Sequence, residues 1–314
     1  MSSASAPVLR TLGERNIISV SGGKDSTALW LLAHERGVKH QAVFADTGHE
    51  HPATYDYLDY LESKLGKLRR VRADFTADFE RKRQYIRDEW PAKGVPADRI
   101  ERALAALVPT GIPFLDLAML KGRFPGPMSR FCSAQLKRDV IFGDIFMPMM
   151  DAGYSVISWQ GIRWDESAHR ATYTEREQLA PRLTAYRPIL AWSAAEVFAM
   201  HDKHGIDPNP LYKQGMGRVG CMPCIHATKP ELAEIANRFP VAIDTIEQWE
   251  ARVSSTALRG SATFFEVEDA GGEFVGQGIR NHVDRSRTTR GGKTYDLTTI
   301  GQQPTCASQY GLCE

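Results

Sequence analysis

Apolar and polar positions follow two rhythms along this chain, and the switches between them mark the elements. Ile17, Ile18 and Val20 form a β-branched apolar run of the kind that makes a buried parallel strand. It breaks at Ser21-Gly22-Gly23. From Asp25 the apolar positions fall on a helical stripe, Ala28, Leu29, Leu31 and Leu32, that stops at Gly37. A second strand is predicted at 41–45 (QAVFA), ending in Asp46-Thr47-Gly48-His49. A helix over ATYDYLDYLESKL and a third strand at 68–73 (LRRVRA) follow. The alternation resumes with a helix over 134–146, a strand at 154–159 (YSVISW) and a helix over 193–204. Strands alternating with helices predict an α/β fold, a parallel twisted sheet with helices on both faces and chemistry at the carboxyl ends of the strands.

Three stretches depart from that rhythm. Residues 1–15, rich in Ser and Ala, read as a flexible lead-in. Residues 74–128 read as a mainly helical insertion, dense in charge at FERKRQYIRDEW and loop-like at GRFPGPMS. Residues 231–314 read as a helical segment that passes, after about residue 255, into a Gly-, Thr- and Arg-rich C-terminal extension with β-like runs such as FFEVE. The main α/β domain is thus expected over 16–230. No internal repeat or low-complexity tract interrupts it.

A glycine turn between a strand and a helix N-terminus can hold phosphate: glycines let backbone N–H groups approach, and the helix dipole favours an anion. Lys24 adds a point charge, and Ser21 and Ser26 add hydroxyls to the Gly22-Gly23 turn. A Gly-Gly turn alone is usually only a tight connection. The full string Ser-Gly-Gly-Lys-Asp-Ser is neither the dinucleotide nor the longer P-loop pattern. It resembles the pyrophosphate-binding loop of the ATP-pyrophosphatase (PP-loop) superfamily, whose members cleave or bind nucleotides at the α-phosphate.

Composition narrows the partners. With 39 Lys and Arg against 38 Asp and Glu, the 314-residue chain has no overall pull toward nucleic acid or membrane, so any such contact needs a local patch. The run from Arg280 to Lys293 is one candidate patch for nucleic acid, although an exposed flexible loop is the simpler explanation. No apolar run is long enough to span a bilayer, and no leader is visible. Five cysteines do not suit a disulfide framework, which points to a reducing, cytoplasmic setting.

Four further motifs carry candidate chemistry. Gly161-Ile-Arg163-Trp-Asp165-Glu166-Ser167 with Arg170 follows a predicted strand, so Arg163 and Arg170 could grip phosphate or sulfate oxygens; alone, such a cluster is more often a surface ion-pair network. Arg130-Phe-Cys132-Ser-x-x-Leu-Lys137 opens a helix, where Cys132 is expected to have a lowered pKa and to serve as nucleophile or metal ligand. Asn209-Pro210 marks a turn. It leads to Cys221-Met-Pro-Cys224, whose two thiols can ligate a cluster, half a zinc site, or form a redox pair. Cys306 and Cys313 supply further thiols.

In order, DTGHEHPATYDYLDYL, RFCSAQLK, GIRWDESAHR and NPLY…GRVGCMPC resemble segments of the phosphoadenosine phosphosulfate (PAPS) reductase family within the PP-loop superfamily. The resemblance spans about residues 16–230. Around the cysteines it is nearest to the Fe–S adenylylsulfate reductases. It implies the adenine-nucleotide α-hydrolase-like fold, an adenine nucleotide (ATP or an adenylyl-sulfate) as ligand, and a [4Fe–4S] cluster with zinc as the alternative. Cys132, Cys221 and Cys224 match the cysteine segments. Ser133 stands where those reductases carry a second cysteine, so Cys306 or Cys313 would complete the ligand set, unless one iron stays open. Asp46, Thr47 and Gly48 would border the nucleoside, Asp25 would hold Mg²⁺, and Ser21, Gly22, Gly23, Lys24 and Ser26 would hold the phosphates.

Two departures from the reductase pattern separate the activities. Sulfonucleotide reductases end in E-C-G-L-H, whereas this chain ends in Tyr-Gly-Leu-Cys313-Glu. Their phosphate loop also usually lacks the full Gly-Gly-Lys-Asp-Ser. The intact loop favours an ATP-using enzyme, with Lys24, Asp25 and Arg163 at the reacting phosphates, that releases AMP and pyrophosphate and activates a substrate for sulfur transfer. The alternative is a reductase that releases sulfite, with Cys313 as nucleophile and a thioredoxin-like partner. A third reading is an accessory protein that binds nucleotide without turnover.

Overall fold

The computed structural model describes residues 12–126, 128–264, 266–268 and 274–288. Cys306, Cys313 and the far end of the 280–293 run lie outside the described residues. A six-stranded sheet runs in the order β3-β2-β1-β4-β6-β5. Its strands are β1 (Glu14–Ser19), β2 (His40–Asp46), β3 (Leu68–Arg72), β4 (Ser155–Trp159), β5 (Arg176–Ala180) and β6 (Leu183–Tyr186). β1 lies parallel to both β2 and β4, β4 is parallel to β6, and β5 closes one edge antiparallel to β6.

β1 begins earlier than its apolar run announces, because pairing of Glu14 with Ser155 and Arg15 with Val156 supplies the backbone bonds that charged side chains conceal from a hydrophobicity pattern. The guanidinium of Arg15 lies over the Tyr154 ring, 4.0 Å from its centroid.

Both faces of this sheet are covered, which explains the near-continuous apolar strands. Ile18, Phe44, Ile157 and Trp159 pack with Leu29 and Trp30 of helix α1 (Lys24–Glu35) and Leu58 and Leu61 of α2 (Pro52–Leu65). The alternate residues Ile17, Val43, Val156 and Leu183 meet Ile145 and Phe146 on the other face. Each such fully buried aliphatic side chain is worth roughly 1.5–3 kcal/mol.

By contacts, the chain divides into two compact units. One takes the described residues of Met1–Ala45, Tyr55–Val71 and Asp139–Asn209; the other takes those of Asp46–Thr54, Arg72–Arg138 and Pro210–Glu314. In the second unit, helices α3 (Thr76–Glu89), α4 (Ala97–Ala106) and α5 (Pro113–Lys121) fill most of the stretch read as a helical insertion. Its core residues Phe79, Ile86, Leu107 and Leu115 pack with Leu232, Ile243, Ile246 and Val253 from two later helices, Lys229–Arg238 and Pro240–Thr256. The segment that composition sets apart therefore shares a core with the insertion.

Glu250 anchors this region. Buried, it accepts hydrogen bonds from Thr263 Oγ1 (2.8 Å), Phe264 N (2.7 Å) and Ile279 N (2.9 Å). Ile279 opens a helix, Ile279–Ser286, where a flexible loop is the simple expectation. Arg280 pairs there with Asp244 and Glu247, which neutralises the first charge of the basic run.

The helix Ala194–Lys203 in the first unit is capped by Ser193, whose Oγ accepts from Glu196 N at 3.2 Å while the Glu196 carboxylate returns to Ser193 N at 2.7 Å. Ser193→Ala is expected to lower stability by about 1 kcal/mol, read as a shift in urea midpoint with unchanged slope. Among the described residues no helix is long and apolar enough to cross a membrane.

Candidate functional site

In the first unit, β1 hands the chain to α1 through Ser21, Gly22 and Gly23. Gly22 sits at φ +76°, a left-handed conformation that glycine takes without a Cβ penalty. The loop is stitched to itself. Ser26 Oγ receives Ser21 N at 3.0 Å, lies 3.1 Å from Ser21 Oγ, and donates to Gly23 O at 3.0 Å. Thr27 Oγ1 also donates to Gly23 O, at 3.1 Å. The two hydroxyls expected to face phosphate are thus spent, in this state, on shaping the turn.

Two buried side chains reach the loop from behind. Asn209 Nδ2 donates to Gly22 O at 3.2 Å, and His201 Nε2 lies 2.9 Å from Lys24 O. A carbonyl only accepts, so His201 carries its proton on Nε2. Burial lowers the His201 pKa, which keeps the ring neutral. Gly161, just past β4, passes against the first turn of α1: a Cβ there would lie 3.1 Å from Asp25 O and 3.2 Å from Ser26 N, so any larger residue would have to push that turn back by a few tenths of an ångström.

The charged groups form one chain that starts buried at Lys24 and Arg163 and runs out to the surface at Asp165, Glu166 and Arg170. Lys24, 5% exposed, places Nζ 2.9 Å from Asp25 Oδ2. Arg163, 4% exposed, places Nε 2.6 Å from Asp25 Oδ1 and Nη1 2.5 Å from Asp165. Arg170 pairs with Glu166, whose carboxylate also accepts from Arg163 N at 3.0 Å. Arg163 and Arg170 are both paired with carboxylates, and for the buried Arg163 an unpaired guanidinium would be costly. Asp25, the residue expected at Mg²⁺, lies between the two cations Lys24 and Arg163.

Asp46, Thr47 and Gly48 belong to the second unit. Asp46 Oδ1 caps Gly48 N at 2.8 Å, and Oδ2 lies 3.7 Å from Arg72 Nε. Thr47 is buried and donates through Oγ1 to Glu50 at 2.8 Å. Glu50, also buried, lies 3.7 Å from Cys221 Sγ through Oε1 and 3.8 Å from Lys137 Nζ. The Cys221 loop is pinned to this strand end: Met222 N donates to His49 O at 3.0 Å, and His49 Nε2 lies 2.9 Å from Pro223 O. The imidazole stacks on Phe114 at 4.4 Å and meets Trp249 at 5.0 Å. Full burial pushes its pKa down to about 4. Nothing in the periodicity singles out His49, Glu50 or His201 as functional, since single polar residues in mixed stretches carry no pattern.

Cys132, Cys221 and Cys224 gather in the same unit, all three half-buried. Burial pushes the Cys221 thiol up to about 12, against the pull of Lys137. Cys132 is likewise raised, by burial and then by Cys224. The lowered pKa expected of Cys132 is therefore reversed: desolvation outweighs Lys137 and the helix N-terminus. Lys137 is raised in turn, chiefly by Cys221 and then by Glu50, Cys224 and Cys132. The donor chemistry suits a soft metal, yet among the described residues no group of three His, Cys, Asp or Glu side chains gathers on one metal ion.

The PAPS reductase domain family matches residues 15–227. An uncharacterized 37.8 kDa protein of Escherichia phage 186 is 48% identical over 324 residues, covering 95% of this chain and 96% of that protein. An adenosine 5'-phosphosulfate reductase of Burkholderia cepacia is 32% identical over 107 residues, 33% of this chain and 40% of its own length. Among solved structures, a PAPS reductase from Candida auris aligns at TM-score 0.40 and 14% identity, covering 66% of this chain and 80% of its own.

Proposed function

This chain belongs to the PAPS reductase family, and on that footing we propose that it is an adenine-nucleotide enzyme that cleaves ATP to AMP and pyrophosphate and activates a substrate for sulfur transfer. The observation that carries the reading is the loop: Gly22, Gly23 and Lys24 turn their carbonyls toward the protein, at a helix N-terminus with a buried lysine. Backbone donors so arranged favour an anion, and most of all the one whose charge grows as a bond breaks.

In this mechanism an acceptor oxygen attacks the α-phosphorus. The bond from that phosphorus to the bridging oxygen breaks, and pyrophosphate leaves with the electron pair; AMP leaves in turn, with the electron pair of its bond to the acceptor, when a sulfur nucleophile takes its place. The loop N–H groups and Lys24 take up the developing charge. Arg163 keeps Asp25, and through it the resting position of Lys24, in register. Mg²⁺, when present with the nucleotide, would supply charge neutralisation at the phosphate oxygens, and no carboxylate is assigned to it.

A [4Fe–4S] cluster on Cys132, Cys221 and Cys224, completed by Cys306 or Cys313, is the metal the family and the thiols favour, with zinc as the alternative. No step above passes through it. Iron, sulfide and zinc content of protein purified without oxygen decides between them, and loss of iron in Cys224→Ser is the expected result.

A second reading, sulfite release from an adenylyl-sulfate, is favoured by the likeness to the Burkholderia reductase. It needs a reactive thiol, for which the tail cysteine Cys313 is the candidate, with a thioredoxin-like protein as reductant. Pyrophosphate release from ATP, measured beside sulfite release from both sulfonucleotides, separates the two. Sulfite production abolished by Cys313→Ser would replace the first reading with the second. ATP binding without turnover of any of these nucleotides would make this an accessory protein.

A further inference from the structure

We propose that His201 and Asn209 are positioning residues for the phosphate loop, holding its peptide planes so that three successive N–H groups face the bound anion. The inference rests on the reading of the loop as a pyrophosphate cradle. In a trans peptide the C=O and the following N–H lie in one plane and point in opposite directions. Fixing a carbonyl inward therefore aims the next N–H outward.

Three consecutive carbonyls are fixed in this way. Gly22 O is held by Asn209 Nδ2 at 3.2 Å, Gly23 O by Ser26 Oγ and Thr27 Oγ1 at 3.0 and 3.1 Å, and Lys24 O by His201 Nε2 at 2.9 Å. The N–H groups opposite them belong to Gly23, Lys24 and Asp25. The middle pair of bonds is local to the loop, as any Ser-x-x-x-x-Ser-Thr turn of this shape could arrange. The outer two come from distant parts of the chain, residue 201 on the helix Ala194–Lys203 and residue 209 beyond its end.

Both side chains are 0% exposed, so neither reaches bulk solvent, and each spends its donor on a loop carbonyl. A buried donor on a carbonyl helps to hold that carbonyl's orientation, because releasing it would cost the donor a hydrogen bond away from water. Thr27 and Tyr57 occupy the same layer: Thr27 is fully buried, and Tyr57 donates to Asp207 O at 2.7 Å, which steadies the turn between the two positioning residues. The cradle is thus built before the anion arrives, and binding needs no peptide flip.

The test is binding of inorganic pyrophosphate by calorimetry to full-length variants, each checked by circular dichroism to be folded at the assay temperature. Asn209→Asp keeps the shape but replaces the donor with an acceptor facing Gly22 O, and His201→Leu removes the ring donor. Each is expected to weaken pyrophosphate at least about tenfold. His201→Gln, whose amide nitrogen can take the place of Nε2, is expected to restore most of that loss. Leu61→Ala, a cavity in the core of the same unit, is expected to lower the melting temperature and leave the affinity unchanged.

Pyrophosphate binding within twofold of wild type by His201→Leu and Asn209→Asp overturns the proposal. So does failure of His201→Gln to recover, or a loss in Leu61→Ala that matches theirs, since each marks a merely structural role. Should Asn209→Asp not fold, the His201 pair decides. A wild-type protein that does not bind pyrophosphate overturns the reading of the loop itself, and this inference with it.

Discussion

Lys24→Ala is expected to lower pyrophosphate release from ATP by roughly 10²–10³-fold, the range found when one preorganised donor to a developing anion is removed. Lys24 stands at the first position of α1, directly after the glycine turn, with its ammonium 5% exposed and 2.9 Å from Asp25. A cation there gains most from the charge that appears on the leaving pyrophosphate, because little water screens it. The fold should survive the change: Asp25 keeps Arg163 as a partner at 2.6 Å, so no carboxylate is stranded. Lys24→Met, which retains the buried stem, is expected to fail equally in turnover and to melt closer to wild type. Single-turnover assays with labelled ATP measure both variants. A rate within a few-fold of wild type in either one would remove Lys24 from the mechanism.

The second large effect is on stability. Lowering the pH from 7 to 4 is expected to cost roughly 3 kcal/mol through His49 alone. Its imidazole titrates near 6.5 when unfolded and about 4 when folded, because burial among Phe114, Trp249 and Phe264 disfavours the cation. Between those values the unfolded chain binds a proton that the native chain refuses. The contribution is therefore complete above about pH 6.5 and disappears as the pH falls toward 4. His34, His201, His226 and His282 are lowered too and act in the same direction, so the wild-type profile contains all of them. The His49 share is the difference from His49→Phe, which keeps the stacking and removes the titration. Urea midpoints at a series of pH values give that difference. Parallel profiles for the two proteins would show that His49 is not the group responsible.

The same comparison bears on the cysteine loop. His49 binds it twice, through its carbonyl to Met222 N and through its ring to Pro223 O. His49→Phe loses the second bond, so metal content measured beside stability would show whether the loop's thiols depend on it.

What the sequence determined by itself is whatever local pattern encodes. Ile17, Ile18 and Val20 announce a strand buried on both faces, and the stripe from Ala28 to Leu32 announces a packed helix. The Gly-Gly break between them announces the tight turn, and Gly22 takes the left-handed φ of +76° that favours glycine there. The ordered motifs through Cys224 were enough to identify the family.

What only the tertiary structure decided depends on residues far apart in the chain. Arg163 pairs with Asp25, and His201 and Asn209 hold the loop's carbonyls. Helices after residue 229 complete the core of an insertion that begins near residue 74. A hydrophobic period reports that a face is buried but not what buries it. A charged residue type likewise carries no record of its partner. The thiols show this most sharply: Cys132 near a helix start beside Lys137 reads as acidic, yet its pKa is raised. Its sign is set by how much water is removed and which groups stand nearby, and both are properties of the folded chain alone.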